Sequence, residues 1–256
     1  MESFAASVAS LERRPMIMMG FGRSHVRKLL FEHVPKCAGT AAMKFLERQY
    51  ARRRTYTVYD RRPDECGTFR QMPESRRHAY DLVIGHGAHR LIDWCAPDAV
   101  TATVLRQPVD RIVSHYYYVL EQPDHYLHVE VVGRSMTLRD YVESGVSDEL
   151  RNYMTCSFLG VSPAEAERDP ARAVDRAWDI LRGRYRVVGI VERLPPAMEA
   201  IRTAIGATSP WTNTRTNSTA GRRPIESIAA EDRRAIADRN ALDMELYRRV
   251  AEAAPR

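Results

Sequence analysis

The sequence predicts an α/β fold: a three-layer sandwich with a central, mainly parallel sheet flanked by helices. Three observations carry that expectation. Short apolar runs rich in β-formers recur along the 256 residues, stretches with helical spacing separate them, and small-residue or proline turns mark the junctions. Strands that alternate with helices are joined by crossovers, which give parallel pairing with helices on both faces.

Residues 1–28 show no clear period and read as a lead-in, leaving 29–256 as one domain. The run Leu29-Leu30-Phe31-Glu32-His33-Val34 reads as a buried strand ending at Pro35-Lys36. A turn of small residues, Cys37-Ala38-Gly39-Thr40, leads into a helix with Ala42, Phe45, Leu46 and Tyr50 on one side. Thr55–Tyr59 alternates as a second strand. Tyr80–Ile84 is a third, followed by Gly85-His86-Gly87, and Val100–Leu105 is a fourth, ending at Arg106.

Pro108 then suits the first turn of a helix whose apolar stripe is Val109, Ile112, Val113, Tyr116, Tyr117 and Leu120. Its opposite side carries Arg111, Ser114, His115 and Tyr118. Residues 137–183 read as helical, with a capping box at Ser162–Glu165, an interruption at Pro170 and a stop at Gly183. Tyr185–Val191 returns as a strand, and a helix from Pro195 ends at Gly206. After a polar loop, Ser209–Pro224, one long C-terminal helix carries Ile236, Leu242, Leu246, Tyr247 and Val250.

Composition excludes several classes. Hydrophobic residues make up 44% and charged residues 28%, with 13 Gly and 14 Pro, so the chain is neither collagen-like nor low in complexity. No apolar stretch approaches the roughly 20 residues of a membrane helix, and no signal-peptide layout opens the chain, so a cytoplasmic protein without a membrane span is expected. The cysteines Cys37, Cys66, Cys95 and Cys156 form no CxxC pair, and neither a zinc ribbon nor a disulfide framework follows. The histidine pairs His86/His89 and His125/His128 lack a carboxylate or cysteine to complete a metal set, so no metal is expected. The net charge of +6 points to an anionic partner. The arginine clusters are scattered without interleaved aromatics, which argues against nucleic acid. Only Lys28, Lys36 and Lys44 are lysines among 39 basic residues, which singles out each of them. The sequence does not reveal an oligomeric state.

Ligands of open parallel sheets bind at the carboxyl ends of the strands. Three such ends carry chemistry here: Pro35–Thr40, Gly85-His86 and Arg106. The first joins a strand to a helix N-terminus, a site for a phosphate-like anion. Gly39 permits close backbone approach and Thr40 adds a hydroxyl. The turn is P-loop-like, yet its lysine opens the loop instead of closing it, and no Gly-Lys-Ser/Thr occurs anywhere in the chain. A lysine in so tight a loop supplies a compact ammonium where a guanidinium would crowd.

Residues 29–42 and 100–118 resemble the sulfotransferases that use 3′-phosphoadenosine 5′-phosphosulfate (PAPS), in particular the carbohydrate O-sulfotransferase branch that contains the uronosyl 2-O-sulfotransferases. Phe31-Glu32-His33-Val34-Pro35-Lys36-Cys37-Ala38-Gly39-Thr40 is similar to that family's 5′-phosphosulfate loop. The segment from Leu105-Arg106-Gln107-Pro108 to Ser114-His115-Tyr116-Tyr117 is similar to its 3′-phosphate segment. Shorter echoes follow in the family's order at Gly85-His86, 152–159, 188–193 and 243–247.

The resemblance implies roles. Lys36 would stabilise the leaving phosphate, and Cys37, Ala38, Gly39, Thr40 and Ala41 would hold the 5′-phosphate. Arg106 and Ser114 would grip the 3′-phosphate, and Asn217 would belong to a loop over the nucleotide. His86 would be the catalytic base, with His89 as its rival. His89, Arg90, Arg151, Asn152 and Arg215 are candidates for acceptor contacts. Gln107 stands where relatives commonly carry an acid, and Cys37 where they often carry threonine. The expected reaction moves a sulfuryl group from PAPS to an acceptor hydroxyl, leaving adenosine 3′,5′-bisphosphate (PAP). The acceptor would be a sugar or glycosylated metabolite, and the positive charge suits an acidic glycan. A sulfuryl group carries less charge than a phosphoryl group, so fixed cations would suffice without magnesium. Two alternatives stay open: a nucleotide kinase with a degenerate phosphate loop, and a non-catalytic nucleotide- or polyanion-binding module.

Overall fold

β1 (Leu29–Glu32) lies at the middle of a five-stranded sheet in which every pairing is parallel. The computed structural model describes residues 26–50, 54–59, 64–212 and 221–255. The remaining elements, in chain order, begin with α1 (Gly39–Gln49), β2 (Thr55–Tyr59), α2 (Glu65–Gln71), α3 (Glu74–Arg77), β3 (Leu82–His86) and β4 (Val100–Leu105). After them come α4 (Pro108–Glu121), α5 (His128–Gly133), α6 (Leu138–Glu143), α7 (Tyr153–Leu159), α8 (Pro163–Ala166) and α9 (Pro170–Arg184). The chain closes with β5 (Val187–Ile190), α10 (Leu194–Ile205), α11 (Ala230–Arg239) and α12 (Ala241–Ala253). Sheet order is β2-β3-β1-β4-β5. This is the α/β sandwich the alternation of elements predicts.

The strands are short and apolar on both faces because both are covered. Leu29 and Phe31 pack with Phe45 and Leu46 of α1 and with Met198, Ile201 and Ile205 of α10. Leu30 points the other way, with Val58 and Val83, toward Phe69 of α2 and Leu91. On the same side Leu105 and Ile190 meet Met154 and Phe158 of α7, Leu181 of α9, and Leu246 and Val250 of α12. A further cluster beyond the sheet joins Val109, Ile112 and Val113 of α4 to α6 and to Ile236 of α11.

Three details differ from the sequence expectation. The first strand ends at Glu32, since Val34 turns its carbonyl onto the Cys37 N–H at 3.2 Å instead of extending the ladder. Helix α9 runs through Gly183 to Arg184, and Pro170 occupies its first turn. The single long C-terminal helix is two helices that meet at Asn240. That residue is fully buried, and its side chain accepts the Asn152 N–H at 2.9 Å while donating to the Leu150 and Ile236 carbonyls. Satisfying three buried backbone groups outweighs continuing the helix. Residues 1–25 of the expected lead-in lie outside the described residues. Among the described residues no helix is long and apolar enough to cross a membrane.

Because β1 sits between β3 and β4, the carboxyl ends of three adjacent strands present Lys36, His86 and Arg106 side by side. All three open onto one cavity of about 2130 Å³. That exceeds the roughly 300–1,000 Å³ of a site for one small ligand and leaves room for two reactants.

Candidate active site

The turn after β1 is built like a type II turn, with Pro35 at its second position and a residue of positive φ at its third. Glycine usually fills that third place, yet here it is Lys36, at φ 65°, and Ala38 follows at φ 58°. Each left-handed residue costs on the order of 1–3 kcal/mol, held by the surrounding packing. The benefit is orientation. The turn delivers the chain into α1 with the N–H groups of Gly39 and Thr40 lacking intrahelical acceptors at the positive end of the helix dipole.

Gly39 is required for a different reason from the one the sequence suggests. A Cβ there would fall 1.5 Å from Nε2 of His33, whose imidazole packs against the helix start. Burial first, then the neighbouring His86 and Lys36, lowers the His33 imidazole to about 3, so it is neutral. Its ring centroid lies 4.4 Å from that of His86.

His86 closes β3. Gly85 (φ 142°) precedes it, where a Cβ would strike the Val58 carbonyl. His86 Nδ1 pairs with the backbone carbonyl of His33, a contact that calls for the Nδ1–H tautomer and leaves Nε2 as the basic nitrogen. The buried carboxylate of Glu32 secures the following turn by accepting the N–H of Gly87 at 3.1 Å and of His89 at 2.7 Å. Its Oε2 also lies 3.1 Å from Nδ1 of His89.

Arg106 ends β4. Its Nε donates to Asp110 Oδ2 at 2.6 Å, and its Nη1 donates to the Lys36 carbonyl at 3.1 Å, tying the two strand ends together. Asp110 also pairs with Arg222, so one carboxylate bridges two guanidiniums and leaves a net positive charge between them. Gln107, the departure from the family's acidic residue, caps α4 by accepting the Asp110 N–H at 2.8 Å. Beyond the cap, Arg111, Ser114 and His115 are buried although they lie opposite the apolar stripe. Helix α4 is enclosed on both sides, by core on one and by the site on the other.

The Lys36 ammonium sits 3.5 Å from the centroid of the Tyr118 ring. Burial first, then Arg106 and Arg222, lowers it from its ordinary value to about 8. At neutral pH it is charged, and it is short of counter-charge.

Of the residues singled out by sequence, Lys36, Ala38, Gly39, Thr40, Ala41, His86, His89, Arg90, Arg106 and Ser114 line this one cavity. Cys37 sits behind it. The Cys37 N–H is used in the turn, and burial pushes the thiol up to about 12, which leaves it a packing residue and not a nucleophile. Cys66, Cys95 and Cys156 are likewise buried, and none of them forms a disulfide. Arg151 and Asn152 do not reach the cavity. They line a separate hollow with Glu167 and Leu242; Arg151 pairs with Glu167, and the Asn152 side chain caps the start of α12 by accepting the Leu242 N–H at 3.0 Å. Arg215 and Asn217 lie outside the described residues.

Sequence reasoning assigned no role to several cavity residues: His33, Asp110, His115, Tyr118, Glu149, Tyr153 and Arg222. One signal was available for the helix. Positions 111, 114, 115 and 118 follow i, i+3, i+4, i+7 spacing, the mark of a second functional face. Nothing in the local pattern pointed to Glu149 or Arg222.

Comparison with known proteins follows this geometry. The model of the Sulfotransferase family matches residues 20–248. Among solved structures, a sulfotransferase from Alicyclobacillus acidocaldarius is 15% identical, with 87% of this chain and 99% of that chain covered at a TM-score of 0.39. No curated protein matches the sequence. With nine-tenths of its length inside the family model, the chain belongs to the sulfotransferase family.

Proposed function

We propose that the protein transfers a sulfuryl group from PAPS to an acceptor hydroxyl, on a carbohydrate or glycosylated metabolite, and releases PAP. One observation carries the reading: Lys36 with its strained anion-binding turn, His86 with a free Nε2, and Arg106 converge on a single cavity from three adjacent strand ends.

The roles follow from position. Gly39 and Thr40 N–H groups at the start of α1 would receive the 5′-phosphate, and Arg106 with Ser114 the 3′-phosphate. Asp110 spaces Arg106 and Arg222 before any anion arrives. His86 Nε2 takes the acceptor proton as the oxygen attacks sulfur in line. The bond from sulfur to the bridging oxygen breaks, and the electron pair stays on the phosphate, where the Lys36 ammonium stabilises the charge. Positioning and fixed electrostatics supply most of the acceleration, and the histidine typically adds about 10²–10⁴-fold.

The test compares PAP with ATP plus magnesium as stabilising ligands, followed by isotope-labelled PAPS against a panel of hydroxyl acceptors. Stabilisation by PAP and label transfer support the reading. Magnesium-dependent ATP turnover overturns it in favour of a kinase, and PAP binding with no transfer to any hydroxyl leaves a binding module.

A further inference from the structure

The cavity carries charge of both signs along its lining. Arg106 and Arg222 flank Asp110 at the end where α1 and α4 begin, and both lie near enough to Lys36 to act on its ammonium. From Lys36 the opposite wall runs through aromatic rings to a carboxylate. The ammonium lies over Tyr118; the Tyr118 and His125 rings are 5.7 Å apart, and those of His125 and Tyr126 are 4.7 Å apart. The Tyr126 hydroxyl donates to Glu149 Oε1 at 3.4 Å. Asp124 and Asp148 line the same cavity, as does the ring of Tyr153. Arg90 is the cation on the His86 side, four residues beyond the histidine.

Glu149 is built into place. Its Oε2 accepts from Nε2 of His115 at 3.0 Å, and Nδ1 of that ring accepts the Tyr141 hydroxyl at 2.6 Å. Its own carbonyl accepts from Nη2 of the fully buried Arg111 at 2.6 Å. Burial pushes the carboxyl upward, but the His115 hydrogen bond and the Arg111 guanidinium outweigh it and bring it to about 2, while burial holds the His115 imidazole itself below its ordinary value. Glu149 is therefore ionised across the physiological range. A carboxylate has about four acceptor positions. His115 and Tyr126 use two, and the side chain is 26% exposed toward the cavity it lines. His89 adds a second polar group: its side chain is nine-tenths buried, it lines the cavity, and its Nε2 has no hydrogen-bond partner.

We propose that Glu149 selects the acceptor, and that the substrate is a polyhydroxylated amine with an ammonium close to the hydroxyl to be sulfated. The ammonium meets Glu149 beside the Tyr126 ring, a carboxylate and an aromatic face that together recognise cations, while a carboxylated glycan meets like charge. The inference rests on the sulfuryl-transfer reading and replaces the acidic glycan that net charge alone suggests.

The experiment measures binding of three tetrasaccharides to the PAP-saturated protein: one of glucosamine, its N-acetylated form, and one of galacturonate. Label transfer from PAPS is followed in parallel. Wild-type protein is expected to prefer the glucosamine oligomer by about 10- to 100-fold, the range of a charge-assisted contact. Glu149→Gln keeps the His115 hydrogen bond and should erase that preference, raising KM far more than it lowers kcat. Glu149→Asp, which keeps the charge, should retain part of it. Equal affinity for all three, a galacturonate preference, or an unchanged preference in Glu149→Gln overturns the proposal, and the wild-type comparison decides even if the variants fail to fold. Failure of PAP to bind would instead overturn the sulfotransfer reading itself.

Discussion

The imidazole of His33 occupies the space in which a side chain at Gly39 would begin, 1.5 Å from where its Cβ would lie. The residue before the phosphate turn and the residue after it are therefore fitted to each other, and His33 also offers its carbonyl to His86. Glycine at 39 thus also serves the placement of His86, the base in the proposed mechanism.

Gly39→Ala should accordingly displace His33 and disturb both ends of the site. Overpacking of this kind costs about 1–3 kcal/mol. Denaturant unfolding should show that loss, and calorimetry should show weakened PAP binding. Unchanged affinity would mean that the imidazole moves aside freely.

Lys36→Ala should lower kcat by at least about 10²–10³-fold, the typical effect of removing one preorganised electrostatic group. The unfolding midpoint should not fall, since the left-handed backbone at 36 is as strained with lysine as with alanine. Near-normal turnover would remove Lys36 from the mechanism.

Arg106→Ala should weaken PAP by about 10- to 100-fold and 5′-AMP by much less. Some loss for 5′-AMP is expected, because Arg106 also braces the Lys36 carbonyl. Equal losses, read by calorimetry, would place the 3′-phosphate elsewhere.

The Lys36 ammonium, lowered to about 8, gives a pH dependence of definite sign. On the proposed reading PAP binds the charged form, so affinity should fall as pH rises through about 8, with proton uptake on binding in that range. Stability of the ligand-free protein runs the other way. A lysine depressed in the folded state costs most below its folded value and is relieved as pH rises from about 8 toward its ordinary 10.5. Lys36→Met should flatten the binding profile, and a persistent slope would assign the titration to another group.

Asn240→Ala removes a side chain that satisfies Asn152, Leu150 and Ile236 at the junction of α11 and α12. Stranding such buried groups costs about 1–3 kcal/mol. A thermal midpoint lowered by less than a degree would show that the junction repacks.

The strand–helix alternation and the three loaded strand ends were legible because they depend on local pattern: apolar runs, a proline at the head of α4, small residues after Lys36. The break at Asn240 was not, because its cause lies 88 residues away in the backbone of Asn152. The same holds for the site. Lys36, His86 and Arg106 announce themselves at strand ends, whereas Glu149 becomes a cavity residue only through His115 and Tyr126, and Arg222 only through Asp110. Asn152 and Arg151 mislead in the opposite sense, since residue type suggested ligand contacts that Glu167 and the helix α12 terminus already occupy.

The ring of Tyr118 beneath Lys36 has a spectroscopic consequence. On the proposed reading, a donor that draws the ammonium onto its bridging oxygen would lift it from that aromatic face, so loading the pocket should alter the shielding of the Tyr118 ring. The phenol would signal occupancy with no turnover, letting each anion be ranked by how completely it pulls the cation free.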